Sequence, residues 1–479
     1  MLLIASLALG SILNLSSGTP LSIDSIPSPV RLTAFALDAD LDMAGRRLKG
    51  SARLEVENVS NATAAIVPLL LGRLMRFDRM EDDGGQTLLA EDDVVVFADS
   101  PMLQVRRAIV HLARPVPPGG RTAIRVRWSG PVVGYPETGS LYIRDRIDPE
   151  FTILRADAYA FPVVGVPSRM ANKQAAIGDF SFDARVTVPK GLTVANGGEL
   201  VGREEGAEDR VVWRYRSEAA PFLNIAVAPY ETTEEGGIRV FAFPRHHEGA
   251  ARVRGAAARA VALFRSWFGP TARPPRFAII EIPEGWGSQA NLAGGIIQTE
   301  SAFTDPGAMI ELYHEISHFW NVPDTEPLSP RWNEGLASYL QYRAAVELDG
   351  KQDLDATIEA AAGRLRKEVE QEPRLSSIPM AAYGRSGMTD DSYGVGRLLF
   401  AILEKTIGAA RFREVLGGFY QRYKLSGATT ADLASYLEDQ GGGPVRALLE
   451  EWLTTARWAL RLRAGETPAA FAARYRKAG

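Results

Sequence analysis

His314-Glu315-Ile316-Ser317-His318, followed by Trp332-Asn333-Glu334-Gly335, has the residue types and spacing of a metal-assisted hydrolase. Residues four apart share one face of a helix, so His314 and His318 can present two imidazole nitrogens to one ion. A hydrolytic zinc keeps one coordination position open for water and needs a third protein ligand. Glu334, on the next helical stretch, is the natural candidate. Glu315 stands beside the first histidine, where its carboxylate can take a proton from that water. One zinc ion per chain and a peptide substrate are the expectation.

The chain has five histidines, His111, His246, His247, His314 and His318, so a coincidental H-E-x-x-H is rare. The bland reading is a surface helix with solvated polar groups. Ile310, Leu312, Ile316, Phe319 and Trp320 argue instead for a largely buried helix whose polar groups need partners. His246-His247 reads as a solvated loop, because neighbouring side chains diverge, and His111 as a packed strand residue.

The motif needs elements to position it. From about Arg31 to Glu231 the chain shows short alternating strands broken by turns, such as Gly50–Asn58, Thr122–Trp128 and Arg210–Tyr215. That pattern predicts a large antiparallel sandwich or a pair of sheets. Near Gly237 it changes to strands at Ile238–Phe243 and Arg276–Ile282, with a helix over Glu248–Phe268 between them. Gly294-Gly295-Ile296-Ile297-Gln298 reads as a strand whose glycines allow another backbone close, so Gly294 and Gly295 are candidate substrate-binding residues. Helical periodicity dominates afterwards, over Leu354–Glu370, Tyr393–Ile407, Ala410–Tyr423, Thr430–Asp439 and Gly443–Ala456. The expected class is α+β and multidomain: a leader at 1–20, a β-domain at 25–232, a zinc domain at 233–460 and a tail at 461–479. Within the zinc domain, 233–348 is the α/β part and 349–460 the helical part.

Composition narrows the rest. A length of 479 residues exceeds one ordinary core. Acids and bases are interspersed with a net charge of −4 and no basic run, which argues against nucleic acid. The absence of cysteine excludes disulfides, thiolate metal sites and a cysteine nucleophile. Met1 to Leu15 is apolar and too short to span a bilayer. It is expected to be a signal leader directing export to the periplasm or outside, with a cytoplasmic location as the alternative. No stable membrane insertion of the mature body is expected.

These residues together resemble the aminopeptidase N family of zinc metallopeptidases, gluzincins with a β-domain and a thermolysin-like domain. The motif pair His314, Glu315, His318 and Trp332-Asn333-Glu334-Gly335-Leu336-Ala337-Ser338-Tyr339 carries the resemblance, with Phe161-Pro162 and Pro167 in the β-domain. Tyr393-Gly394-Val395-Gly396 is similar to the family's Tyr-x-Lys-Gly, which implies that the Tyr393 phenol stabilises an oxyanion. Valine replaces the lysine. Fifteen residues separate His318 from Glu334 where the family usually has eighteen. Gln289-Ala290-Asn291-Leu292-Ala293 lacks the glutamate with which the family grips a free amino terminus, and the family's long C-terminal helical domain is expected to be absent. Glu281, Glu284 or Glu300 could supply the anion. Asp324 and Glu326 are the candidates to support the histidines. Zinc-dependent, aminopeptidase-like hydrolysis is the first expectation. A zinc endopeptidase of the same fold and a non-catalytic peptide-binding module are the alternatives.

Overall fold

The computed structural model describes residues 26–175, 178–207, 209–272, 276–291, 294–350 and 353–477. The leader, and Leu292-Ala293 of the segment aligned with the family's anchor, lie outside them. Among the described residues no helix is long and apolar enough to cross a membrane.

The N-terminal half is built from three sheets. The largest has seven strands in the order 199–205, 210–220, 180–189, 30–42, 47–58, 121–130 and 76–82. Strands 30–42 and 180–189 run parallel, and their other partners are antiparallel. Its alternation is visible in Arg47–Asn58, where Leu48, Ala52, Leu54 and Val56 are buried every second or fourth residue. That inner face packs on Val67, Leu69, Ala108 and Val110 of a four-stranded sheet (90–97, 100–116, 64–72, 163–164), giving the expected sandwich.

A three-stranded sheet, Thr193–Ala195, Asn224–Ala228 and Thr152–Arg155, was not anticipated. Leu154, Val194, Ile225 and Val227 point into the sandwich core. Their alternates Ile153, Ala195, Ala226 and Ala228 pack on Phe241, Ala278, Ile280 and Ile282 of the next sheet. Three strands thus form one wall shared by both halves.

That next sheet has five strands in the order 231–235, 238–242, 277–282, 295–299 and 289–291, with the central three parallel. Phe277–Ile282 is buried at every residue, as a strand covered on both faces must be. The helices follow: His247–Phe268, Ile310–Ser317, Trp332–Asp349, Leu354–Gln371, Ser392–Ile407, Ala409–Tyr423 and Thr430–Leu449. The last joins two expected helices across a kink at Gly442 (φ 65°, ψ −153°).

The expected tail is a correction. Pro468–Lys477 is a helix whose Phe471, Ala472 and Tyr475 are buried in the same core as the zinc-motif helix. An alanine-rich segment with apolar residues at i, i+1 and i+4 has one buriable face, and here it is buried. The helical part therefore extends past residue 460.

Candidate zinc site

The motif helix is short. Ile310–Ser317 is α-helical, and His318–Trp320 continues it as a tighter turn. The two imidazoles face each other edge-on, 4.8 Å between centroids and 85° between planes. Helix Trp332–Asp349 brings in Glu334. Its Oε2 stands 3.4 Å from His314 Nε2 and 3.4 Å from His318 Nε2. Ligand bonds of about 2.1 Å in a tetrahedron put neighbouring donors roughly 3.4 Å apart, so the spacing suits a single zinc ion. Glu334 Oε2 is otherwise a buried acceptor without a hydrogen bond, which a cation would satisfy. Burial opposes ionisation of this carboxyl, but His314, His318 and Arg331 outweigh it and hold its pKa well below the usual range.

The supporting partners differ from those expected. His314 Nδ1 meets Gln341 Oε1 at 2.9 Å, and His318 Nδ1 meets the Asn321 amide at 2.8 Å. With its Nε2 on a metal, His314 carries a proton on Nδ1 and donates it to Gln341 Oε1, whereas the atom facing His318 Nδ1 is the Asn321 amide nitrogen. Gln341 lies seven residues, two helical turns, after Glu334, a spacing that could have revealed it. Asp324 and Glu326 are engaged elsewhere: Asp324 Oδ1 accepts the Glu326 amide, and Glu326 binds Arg385 and the Thr430 amide.

Glu315 is buried beside these three candidate ligands. Burial pushes its pKa up to about 8; His314 pulls it down, while Glu334 and Glu311 add to the rise. The Ala290 amide of the edge strand Gln289–Asn291 donates to it.

Tyr393 reaches the site because two helices touch. A Cβ on Gly335 would lie 2.7 Å from Gly396 Cα, and one on Gly396 would lie 2.6 Å from Gly335 Cα. Glycine at both positions lets the backbones meet and sets Glu334 and Tyr393 side by side. Val395, in the place of the family's lysine, is fully buried in the core. The Tyr393 ring stacks on His314 at 6.1 Å and 11°. Burial, reinforced by the Glu334 charge, raises its pKa above the ordinary phenol value, so it remains a hydrogen-bond donor.

Arg331 was missed from the sequence. Its Nη2 stands 3.0 Å from Glu334 Oε1 and 3.0 Å from Tyr393 Oη, and Nη1 lies 3.1 Å from Asp390. Both Leu328 (φ 63°) and Arg331 (φ 55°) adopt the left-handed conformation. The shortened connection from His318 thus turns through two non-glycine residues in a sparsely populated region.

Gly294 and Gly295 are brought elsewhere than the expectation required. Gly294 has φ 119°, and a Cβ there would approach Gly197 O at 2.9 Å. The pair packs on Gly197 at the seam between the two halves. Strand Gly295–Thr299 is hydrogen-bonded on both sides, to Phe277–Ile282 and to Gln289–Asn291. The edge of the sheet is Gln289–Asn291, so that strand, and not the glycine pair, can add a substrate strand.

The other histidines are paired. His246 hydrogen-bonds the buried Glu281 carboxylate and is not a solvated loop residue, His247 lies 3.0 Å from Glu231, and partly exposed His111 lies 3.1 Å from Glu91. Glu281 also accepts the Phe243 amide, and Glu300 binds Arg245, so neither is free to receive an amino terminus.

Against known proteins, no family model matches the chain. It is 28% identical over 214 residues to aminopeptidase M1-B of Oryza sativa subsp. japonica, spanning 41% of this chain and 24% of that protein. It is 31% identical over 163 residues to aminopeptidase M1-D of the same plant (32% and 18%). With the tricorn protease-interacting factor F2 of Thermoplasma volcanium it shares 23% over 216 residues (42% and 28%). The matched stretches thus span under a third of each of these relatives. The crystal structure of the M1 zinc metallopeptidase from Deinococcus radiodurans shares the fold, with a TM-score of 0.63 and 19% identity, over 89% of this chain and 94% of that one. By sequence the chain is similar, over part of its length, to proteins named as M1 aminopeptidases, and by fold it is similar to an M1 zinc metallopeptidase.

Proposed function

We propose that the chain is a zinc-dependent peptidase of aminopeptidase type, with His314, His318 and Glu334 as ligands, Glu315 as general base and Tyr393 as oxyanion donor. The observation that carries this reading is the convergence of three metal donors within 4.8 Å of one another, with a buried carboxylate beside them. The curated relatives named as aminopeptidases support the substrate class.

Zinc, when bound, lowers the pKa of a coordinated water to about 7 and polarises the scissile carbonyl. The chain's own residues do the rest. The edge strand Gln289–Asn291 offers backbone groups to an extended peptide, lying across from Glu315. Glu315 accepts a proton from the attacking water and delivers it to the departing amine. Tyr393 Oη, receiving a hydrogen bond from Arg331, directs its own proton toward the developing oxyanion, an effect worth roughly 3 kcal/mol in comparable sites. The loop residues Trp286 and Gly287, which precede the edge strand, pack against Arg155 and Tyr142 of the β-domain.

The test is zinc titration of purified protein with hydrolysis of mixed peptides by wild type and Glu315→Gln. One zinc per chain in both, with hydrolysis only in wild type, is expected. Equal hydrolysis in the two preparations would sink the mechanism. Peptides with free and acetylated amino termini separate end-trimming from internal cleavage.

A further inference from the structure

Within helix Ile310–Ser317, Glu311 is the one exposed residue. It precedes Glu315 by one turn, which places their Cβ atoms roughly 6 Å apart on one face. That face meets the edge strand through the Ala290 amide. Glu311 is therefore a carboxylate at the mouth of the site.

The carboxylate is held in place. Its Oε2 accepts from Thr299 Oγ1 at 2.9 Å and from Gln298 Nε2 at 3.3 Å. Gln298 is fully buried, following Ile296 and Ile297 on its strand, and its carbonyl oxygen has no partner. An unmet buried polar group is destabilising, so an apolar residue there would make a more stable sheet. What the amide achieves is to fix Glu311. A first-turn acid also favours the helix dipole, but that needs neither a buried glutamine nor a threonine. With Oε2 tied down, Oε1 is left for a ligand, and no basic side chain pairs with Glu311 among the described residues.

We propose that Glu311 receives a cationic group of the peptide, an ammonium or guanidinium, next to the bond that is cleaved, with Gln298 and Thr299 as its positioning residues. The chain then prefers basic substrates. This rests on the peptidase reading above, deepening it to a substrate class.

The experiment uses zinc-loaded full-length protein and peptides differing at one position, either side of the cleaved bond, as Lys, Arg, norleucine or Glu. Each is made with a free and an acetylated amino terminus. Wild type is expected to favour Lys and Arg over norleucine by about tenfold in kcat/KM, the equivalent of about 1.4 kcal/mol. Glu311→Gln removes the preference and Glu311→Lys turns it toward Glu. Thr299→Val weakens the preference and Thr299→Ser restores it. The preference is expected to persist in the acetylated peptides, because the cation is a Lys or Arg side chain; a Glu311-dependent rate that follows the free amino terminus whatever the side chain would overturn the proposal. Equal losses on basic and neutral peptides in Glu311→Gln would overturn the proposal. Equilibrium binding of the same peptides to Glu315→Gln protein gives the answer without turnover. Absence of hydrolysis by zinc-loaded wild type would instead count against the peptidase reading alone.

Discussion

Arg331 and Tyr393 are joined by a 3.0 Å hydrogen bond in which the guanidinium donates to the phenol oxygen. Because the same Nη2 donates to Glu334 Oε1, one side chain ties the proposed third metal ligand to the proposed oxyanion donor. Arg331→Met leaves Tyr393 without this orientation. A loss of about 10- to 100-fold in kcat is expected, with zinc stoichiometry kept, and Arg331→Lys recovers only part because it lacks the fork. Activity assays paired with metal analysis check this.

Gln341 makes a second prediction. Gln341→Ala removes the acceptor for His314 Nδ1. Zinc affinity should fall by about 10- to 100-fold while the folded structure persists. Competition with a chelator of known affinity measures it, and unchanged affinity would remove Gln341 from the site's support.

The helix crossing gives a third. In Gly335→Ala the new methyl would sit 2.7 Å from Gly396 Cα and 2.9 Å from Ser392 O, both backbone atoms. Separation of the helices should destabilise the fold by about 1–3 kcal/mol and lower kcat, since Tyr393 and Glu334 move apart. Thermal denaturation and kinetics should shift together.

Glu315 sets a pH dependence in the zinc-free protein. Its pKa of about 8 in the folded chain, against 4.5 for the free group, means that the protonated form is the one the fold accommodates. This contribution is fully present below about pH 4.5 and is lost as pH rises toward 8, on the order of a few kcal/mol. Glu315→Gln should flatten that part of the Tm-versus-pH curve. Identical curves for the two proteins would show the carboxylate to be solvated in solution.

Much of the site was legible because its residues obey short-range rules. His314 and His318 needed only helical spacing, and Glu334 needed only a nearby helix. Arg331 was invisible because its role depends on a left-handed backbone in a shortened loop, which no periodicity reports. Gly294 and Gly295 were recognised as a point of close backbone approach, but not what approaches; the answer, Gly197, is nearly a hundred residues away in sequence. The tail was misjudged for a related reason. Phe471 and Tyr475 are sparse apolar residues among arginines and alanines, and only the tertiary partner tells a docked helix from a free one. For the sheets, alternation announced the sandwich, whereas Thr152–Arg155 and Thr193–Ala195 are too short and too uniformly buried to alternate.

Those short strands have a further meaning for the molecule's mechanics. Ile153 and Leu154 are consecutive yet belong to different hydrophobic clusters, so neither half owns the partition between them. Cutting the gene at residue 232 would strip a greasy surface on the fragment left behind, and that fragment should precipitate instead of folding alone. Melting should appear as one event, and hinge-like gaping of the cleft about this seam is disfavoured.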